Sequence, residues 1–294
     1  MSLGKYLRNP SRVAKKIAWH TIHAGPRRDI TVATGNGLFT FDSADAIIGK
    51  RLYVDGGYEL PLIGRTMELL LREGHLPSRG SGRMIDIGAN IGMICVALLR
   101  QGYFNRAIAF EPGPANFRLL ETNVAQNGLA HRILTVPCAL SAADGEMQLE
   151  LSAYNSGDHR IRHTSTAGAY GEDKRVTLTV PVHTLDSFFA HNCQLTADDV
   201  ELVWMDIQGH EGQFLRGARN FLARGVPVVT EFWPYGILRS GMTRPEFQRT
   251  VGELFTHFYL PAGDLSRRPV ELLDSLWDEF PGPKQVSEVI LVRE

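Results

Sequence analysis

RMIDIGANIGMICVA, residues 83–97, joins two hydrophobic periodicities across a short turn. Met84, Ile85 and Ile87 form an apolar run, interrupted by Asp86 and closed by Gly88, the pattern of a buried parallel strand reaching its carboxyl end. Ile91, Ile94, Cys95, Leu98 and Leu99 then recur at i, i+3, i+4, i+7 and i+8, which is a helix stripe. In the turn between them, Gly88 and Gly92 let ligand and backbone come close, and Asn90 suits a positive φ or a helix cap. The N–H groups at such a helix start face a ligand at the carboxyl end of the sheet.

The ligand class follows from what the turn lacks. The dinucleotide pattern G-x-G-x-x-G would need glycine at 90 and 93, where this chain has Asn90 and Met93, and that counts against a nicotinamide dinucleotide or any pyrophosphate. Asp86 repels phosphate but suits an ammonium or sulfonium, so S-adenosylmethionine fits better. A second strand, Ala107 to Phe110, ends in Glu111, nineteen positions after Gly92 and close to the ~20 expected of an acid that reads ribose hydroxyls. After a third strand, Ile133 to Val136, come Cys138, Ala139 and Leu140, small and apolar groups able to pack on adenine. A fourth strand, Leu202 to Met205, ends in Asp206-Ile207-Gln208-Gly209-His210-Glu211, and a fifth, Val226 to Thr230, ends in Glu231. Asp86, Glu111, Asp206 and Glu231 therefore converge on one crevice of an open α/β sheet.

With 294 residues the chain can bury a full core, and its formal charge of 31 − 32 = −1 leaves no electrostatic footprint for nucleic acid. Hydrophobic content is 44%, with no run long enough for a membrane span. Three cysteines (Cys95, Cys138 and Cys193), odd in number and widely spaced, point to a reduced, cytoplasmic protein. No metal site is expected: the pairs His20/His23 and His159/His163 lack companions at ligand spacing and read as surface histidines. The basic stretch over residues 1 to 20 reads as a solvated or loosely docked N-terminus, with weak membrane-surface contact as the alternative.

A hairpin over Asp29–Phe41 and a covering helix with Met67, Leu70 and Leu71 precede the Pro77–Gly82 break. That break divides an N-terminal extension, 1–80, from a catalytic domain, 81–294. Met147, Leu149 and Leu151 alternate, as do Val176, Leu178, Val180 and Val182, predicting two strands of an inserted β-hairpin. Between them the polar stretch Tyr154–Lys174 is long enough to be a functional loop, expected to order over an acceptor. Thr184 caps a short helix, and the tail adds a helix over Glu246–Phe258 and a last strand, Val289–Val292.

The motif order resembles the FkbM family of S-adenosylmethionine-dependent methyltransferases. The matching pieces are the turn Asp86–Gly92, Phe110-Glu111-Pro112 with Asn116 and Asn123, the segment Thr184–Phe188, the Asp206-x-x-Gly209-x-Glu211 block and Glu231, over roughly residues 50 to 235. The resemblance implies a class I methyltransferase (Rossmann-like) fold: a mostly parallel seven-stranded sheet with helices on both faces. It also implies O-methylation of a hydroxyl on a sugar, glycolipid or natural product. Two positions depart from the family's usual pattern, Gln208 where an acid is common and Trp204 where a basic residue is common. Expected cofactor-binding residues are Asp86, Gly88, Asn90, Gly92, Glu111, Ala139, Leu140 and Asp206. Expected catalytic residues are His210, Asp206 and Glu211, with His210 first as base because its reference pKa suits neutral pH. The rival readings are a nicotinamide-dependent oxidoreductase and a non-catalytic S-adenosylmethionine-binding module.

Overall fold

The computed structural model describes residues 10–192 and 194–294, so Lys5, Arg8 and Cys193 lie outside the described residues. The N-terminal extension supplies α1 (Pro10–Ala24), the hairpin of β1 (Asp29–Ala33) and β2 (Leu38–Asp42), then α2 (Ile48–Asp55) and α3 (Leu60–Arg72). The described part of the basic stretch is thus a helix rather than a loose tail. It is pinned by Trp19, buried against Phe41 and Tyr53. One aromatic side chain buries enough apolar area to dock a helix without a full stripe, which is why periodicity missed it.

Successive strand–helix units follow as β3 (Ser81–Ile87), α4 (Met93–Arg100), β4 (Phe104–Phe110), α5 (Pro114–Gln126) and β5 (Ile133–Val136). An insertion carries β6 (Ala139–Leu140), β7 (Gly145–Glu150), β8 (Arg160–Ile161) and β9 (Thr177–His183), and leads to α6 (Leu185–His191). The chain then re-enters the main sheet with β10 (Val200–Met205), α7 (Glu211–Gly217), α8 (Arg219–Leu222) and β11 (Val228–Phe232). It closes with α9 (Pro234–Arg239), α10 (Arg244–Leu254), β12 (His257–Tyr259), β13 (Arg268–Pro269), α11 (Leu276–Glu279) and β14 (Ser287–Val292).

The main sheet has eight strands in the order β13-β12-β14-β11-β10-β3-β4-β5, parallel from β11 to β5 and with β14 antiparallel to both neighbours. This is the class I methyltransferase arrangement that the resemblance implies, its seven strands extended by the two-residue β13. The order reverses at β3, between β4 and β10, so the crevice at the switch point lies at the ends of these strands. The tail departs from the sequence reading. A capping box of Thr243 and Glu246 starts α10 two residues before Glu246, and Phe255 is extended, which frees Phe258 for β12.

Both faces of the sheet are covered. Trp19, Phe39, Met67, Leu98 and Leu120 share one core with Met84 and Trp204 of the sheet, so the N-terminal elements are continuous with the main sheet on that face. Asn123 on α5 fixes this contact: its Oδ1 accepts from Thr40 N–H (2.7 Å), and its Nδ2 donates to the carbonyls of Thr40 (3.1 Å) and Ile91 (2.8 Å). Hairpin, helix and glycine turn are thereby tied at one buried amide. On the other face Phe188, Phe214, Phe247 and Trp277 pack against Ile85, Val203 and Val289.

The predicted hairpin is present as antiparallel β7 and β9, Leu149 opposite Leu178, within a second sheet of order β6-β9-β7-β8. The polar stretch between them is held in place rather than loose. It contributes β8, and its Arg160 is buried against Asp158 and Glu172. No helix among the described residues is long and apolar enough to cross a membrane.

Candidate active site

The turn after β3 is built on three residues at positive φ, Gly88 (76°), Asn90 (52°) and Gly92 (88°). A Cβ on Gly88 would stand 2.1 Å from the Asp206 carbonyl, so glycine is what lets the ends of β3 and β10 touch through backbone. Asp86 points into the helix start, where its Oδ2 accepts from Cys95 N–H at 3.0 Å, and burial pushes its carboxyl up to about 6. A Cβ on Gly92 would meet Leu120 Cδ1 at 2.8 Å. Asp86 and Gly92 therefore shape the turn from behind, whereas Gly88 and Asn90 face the cleft beside it.

That cleft is partly open to solvent. Phe110, Cys138, Ala139, Leu140, Leu149 and Ile161 give it an apolar slot; Glu111 and Asn90 form one polar wall and Asp206 and His210 another. The carboxylate of Glu111 accepts from Asn90 N–H (2.9 Å) and Gly113 N–H (2.8 Å), which leaves each oxygen a lone pair. Burial raises Glu111 to about 7, against the lowering effect of those two bonds and of the Asn116 side chain. Asn90 Oδ1 is buried with no hydrogen-bond partner among the described residues.

The end of β10 is as tightly specified. Gln208 has φ 56°, and a Cβ on Gly209 would lie 2.2 Å from Gly236 C, so this turn too is pressed against backbone. Glu211 Oε1 accepts from Gly209 N–H (3.1 Å) and Ile207 N–H (3.3 Å), while its buried Oε2 has no partner among the described residues and burial raises the group to about 7. Both ring nitrogens of His210 are engaged: Nε2 lies 2.8 Å from Ser141 Oγ and Nδ1 lies 3.2 Å from His163 Nε2. Burial, reinforced by His163, pushes His210 down to about 3. Asp206 accepts from Gln208 Nε2 at 2.5 Å and opens to solvent. Partial loss of hydration where protein packs around the carboxyl, then Glu288 and Asp158, raise it above the usual carboxylate range.

Further acids gather behind Asp206. Glu231 stands directly opposite Glu288 in the β11–β14 register, and desolvation followed by Asp206 raises Glu231 well above the carboxylate range. Glu59, at positive φ ahead of α3, is raised to about 7 by burial, Asp206 and Glu288. Of the acids that sequence reasoning brought to the crevice, Glu111 and Asp206 line the cleft. Glu59 and Glu288 were missed. No periodic signal marks Glu59, and Glu288 arrives because β14 is antiparallel, so its first residues lie beside the last residues of β11.

The insertion supplies the roof. Ser156, Gly157, His159 and Ile161 line the cleft, and Asn116 Nδ2 holds the Ser156 carbonyl at 3.0 Å. His159 is not a surface histidine: its Nδ1 accepts from Ser152 N–H at 3.1 Å, and burial lowers it to about 4. It was misread because nothing local distinguishes a histidine that a distant strand will cover. Among the described residues no group of three or more His, Cys, Asp or Glu is arranged to hold a metal ion.

Residues 86–260, more than half of the chain, match the family model of the methyltransferase FkbM domain. Over 66 residues the chain is 32% identical to methyltransferase sdnD of Sordaria araneosa, a match covering 22% of this chain and 26% of that protein. The chain thus spans about a quarter of the length of that curated relative. Among solved structures it is similar to methyltransferase FkbM from Methylobacillus flagellatus KT, at 18% identity and a TM-score of 0.40, covering 77% of this chain and 47% of that one. It is also similar to M. jannaschii TYW2 in complex with AdoMet, at 10% identity and a TM-score of 0.44, covering 91% and 86%.

Proposed function

The chain belongs to the FkbM methyltransferase family, and on that premise we propose that it methylates a hydroxyl of a sugar, glycolipid or natural product with S-adenosylmethionine as donor. The observation that carries this reading is the cleft at the switch point, where Glu111, an apolar slot and Asp206 face one space. Its residues fit the cofactor. The slot around Ala139 and Leu140 takes a flat base, the spare lone pairs of Glu111 take a ribose diol, and the orphan Asn90 Oδ1 awaits a donor. Acids around Asp206 favour a sulfonium or ammonium and oppose a pyrophosphate, which counts against the nicotinamide reading. Asp86 and Gly92 contribute by holding the turn in shape.

When bound, S-adenosylmethionine supplies an electrophilic methyl carbon. The protein's part is to align the acceptor oxygen and take its proton. Asp206 is the better base. It opens to the cleft, and its raised pKa brings it toward neutral pH. His210 has no free ring nitrogen and is pushed far below neutrality, so it serves as a wall held by Ser141 and His163. Glu211 orients the 207–209 turn that presents Asp206. In this reading residues 81–294 are the catalytic domain, 1–80 brace it, and the reaction is cytoplasmic, where the buried thiols of Cys95 and Cys138 stay reduced.

Calorimetry with S-adenosylmethionine and with NAD, then methyl transfer from labelled cofactor to glycosides, hydroxylated polyketides and matched amines, tests the proposal. Tight binding of S-adenosylmethionine and label on a hydroxyl are expected. Binding without transfer to any acceptor would support the non-catalytic module instead, and label on amines alone would refute O-methylation.

A further inference from the structure

A second, smaller chamber, partly open to solvent, adjoins the cleft and shares Ile161 and His210 with it. Its walls carry Arg160, Arg162, Arg239, His163, Gln208 and Glu150. The arginines belong to a single alternating chain. Glu150 joins Arg162 to Arg175, Asp158 joins Arg175 to Arg160, and Glu172 joins Arg160 to Arg239. Four guanidinium groups meet three carboxylates, so the chain carries 4 − 3 = +1. Arg162 and Arg239 are its two ends, each with one acidic partner, and both ends return to the same chamber.

The acids that pair with the ends are shared with other donors. Glu172 also accepts from the Tyr235 hydroxyl (2.6 Å) and Tyr170 N–H (2.8 Å). Arg162 gives Nη2 to the carbonyls of Glu172 and Arg175, and Arg239 gives Nη2 to the Thr166 carbonyl. The Nη1 of each makes no hydrogen bond to the described residues. Arg160 is locked over the rings of Trp233 (4.5 Å) and Tyr170 (5.0 Å), which stiffens the wall between the two ends. Two half-buried guanidinium groups lining one space, at the ends of a chain of net charge +1, offer the donors that an oxyanion requires.

We propose that this chamber is an anion subsite, binding a carboxylate or phosphate group carried by the methyl acceptor, with Arg162 and Arg239 as its principal donors. The acceptor then spans both cavities, its anionic group among the arginines and its reacting oxygen beside Asp206 on the other side of His210. This assignment of the ligand rests on the methyl-transfer reading above.

The test titrates the full chain by calorimetry with inorganic phosphate and, separately, with acetate, at constant ionic strength. Saturable binding of one or both is expected, phosphate alone indicating a phosphate ester and acetate alone a carboxylate. Arg239→Gln should weaken that binding at least about tenfold, while Arg267→Gln, at a surface pair with Glu294, should leave it unchanged. If circular dichroism shows Arg239→Gln unfolded, Thr164→Glu places a carboxylate on the chamber wall with the chain intact and should abolish binding. No saturable binding by wild type, or undiminished binding in the folded variant, would overturn the subsite. S-adenosylmethionine binding is measured in parallel. Cofactor binding without anion binding refutes the subsite alone; anion binding without cofactor binding overturns methyl transfer and with it the acceptor role.

Discussion

Two groups of carboxylates, set at either side of His210, live under opposite electrostatics. In the chamber of the insertion, Glu150, Asp158 and Glu172 each sit between two arginines. Burial alone would raise Glu172, yet the Tyr235 hydroxyl, backbone N–H groups and Arg160 outweigh it and hold the group down at about 2. At the end of the main sheet, Glu59, Asp206 and Glu231 face one another and Glu288, and Glu59 is pushed up to about 7. Arg51 offsets this only in part at Glu59. The same residue type is a locked structural ion in one place and a proton acceptor near neutrality in the other. Burial raises both acids, and the partner decides whether that rise is overcome, as at Glu172, or added to, as at Glu59.

Removing the acid at the cleft should act on chemistry. Asp206→Asn is expected to lower kcat by about 10²–10⁴-fold while S-adenosylmethionine still binds, measured by label transfer and calorimetry. Turnover within about twofold of wild type would return the base to another group, Glu211 or His210. Removing an acid from the arginine chain should act on stability instead. Glu172→Gln leaves Arg160 and Arg239 without their shared counter-charge and should cost ~3–5 kcal/mol in urea unfolding. Because the folded pKa of Glu172 is depressed from 4.5 to about 2, its stabilisation is full above the unfolded value and is lost as pH falls toward 2. The wild-type advantage should therefore shrink across that window; a pH-independent difference would break the contrast.

Glu111 lies between these extremes, holding backbone and facing the ligand. Glu111→Ala should weaken S-adenosylmethionine binding by ~1–3 kcal/mol through lost charge-assisted hydrogen bonds. Equal affinity of wild type and variant in calorimetry would remove Glu111 from the ribose.

The parallel strands and the turns after them were legible in the sequence because they depend on local pattern: apolar runs, a glycine pair, Asn90 at positive φ, Pro114 opening α5. The place of Glu111 and Asp206 was legible for the same reason, since strand direction alone sends them to the crevice. Glu288 was not, because its place depends on the reversal of β14. The arginine chain was not either. Its members, Glu150 to Arg239, alternate in space but not along the chain, and residues between them belong to a stretch that reads as a polar loop. Trp19 was hidden by the scattered basic residues around it.

The smallest expected effect tests the acidic side directly. Glu231 and Glu288 are cross-strand neighbours, and like charges in that relation are destabilising by roughly 0.2–1 kcal/mol. Glu288→Gln should therefore stabilise the fold by about that amount at about pH 9. The sign follows from Glu231, whose folded pKa is raised above its unfolded value. For an acid so raised, stability falls as pH climbs from the unfolded value through the folded one, because the folded state holds its proton longer. Near about pH 4 Glu231 is protonated in the folded protein, the repulsion is absent, and the variant should match wild type. Urea unfolding at the two pH values measures the difference. A gain that is equal at both would mean that the pair is screened by solvent, and that the acids of the cleft do not act on one another as a group.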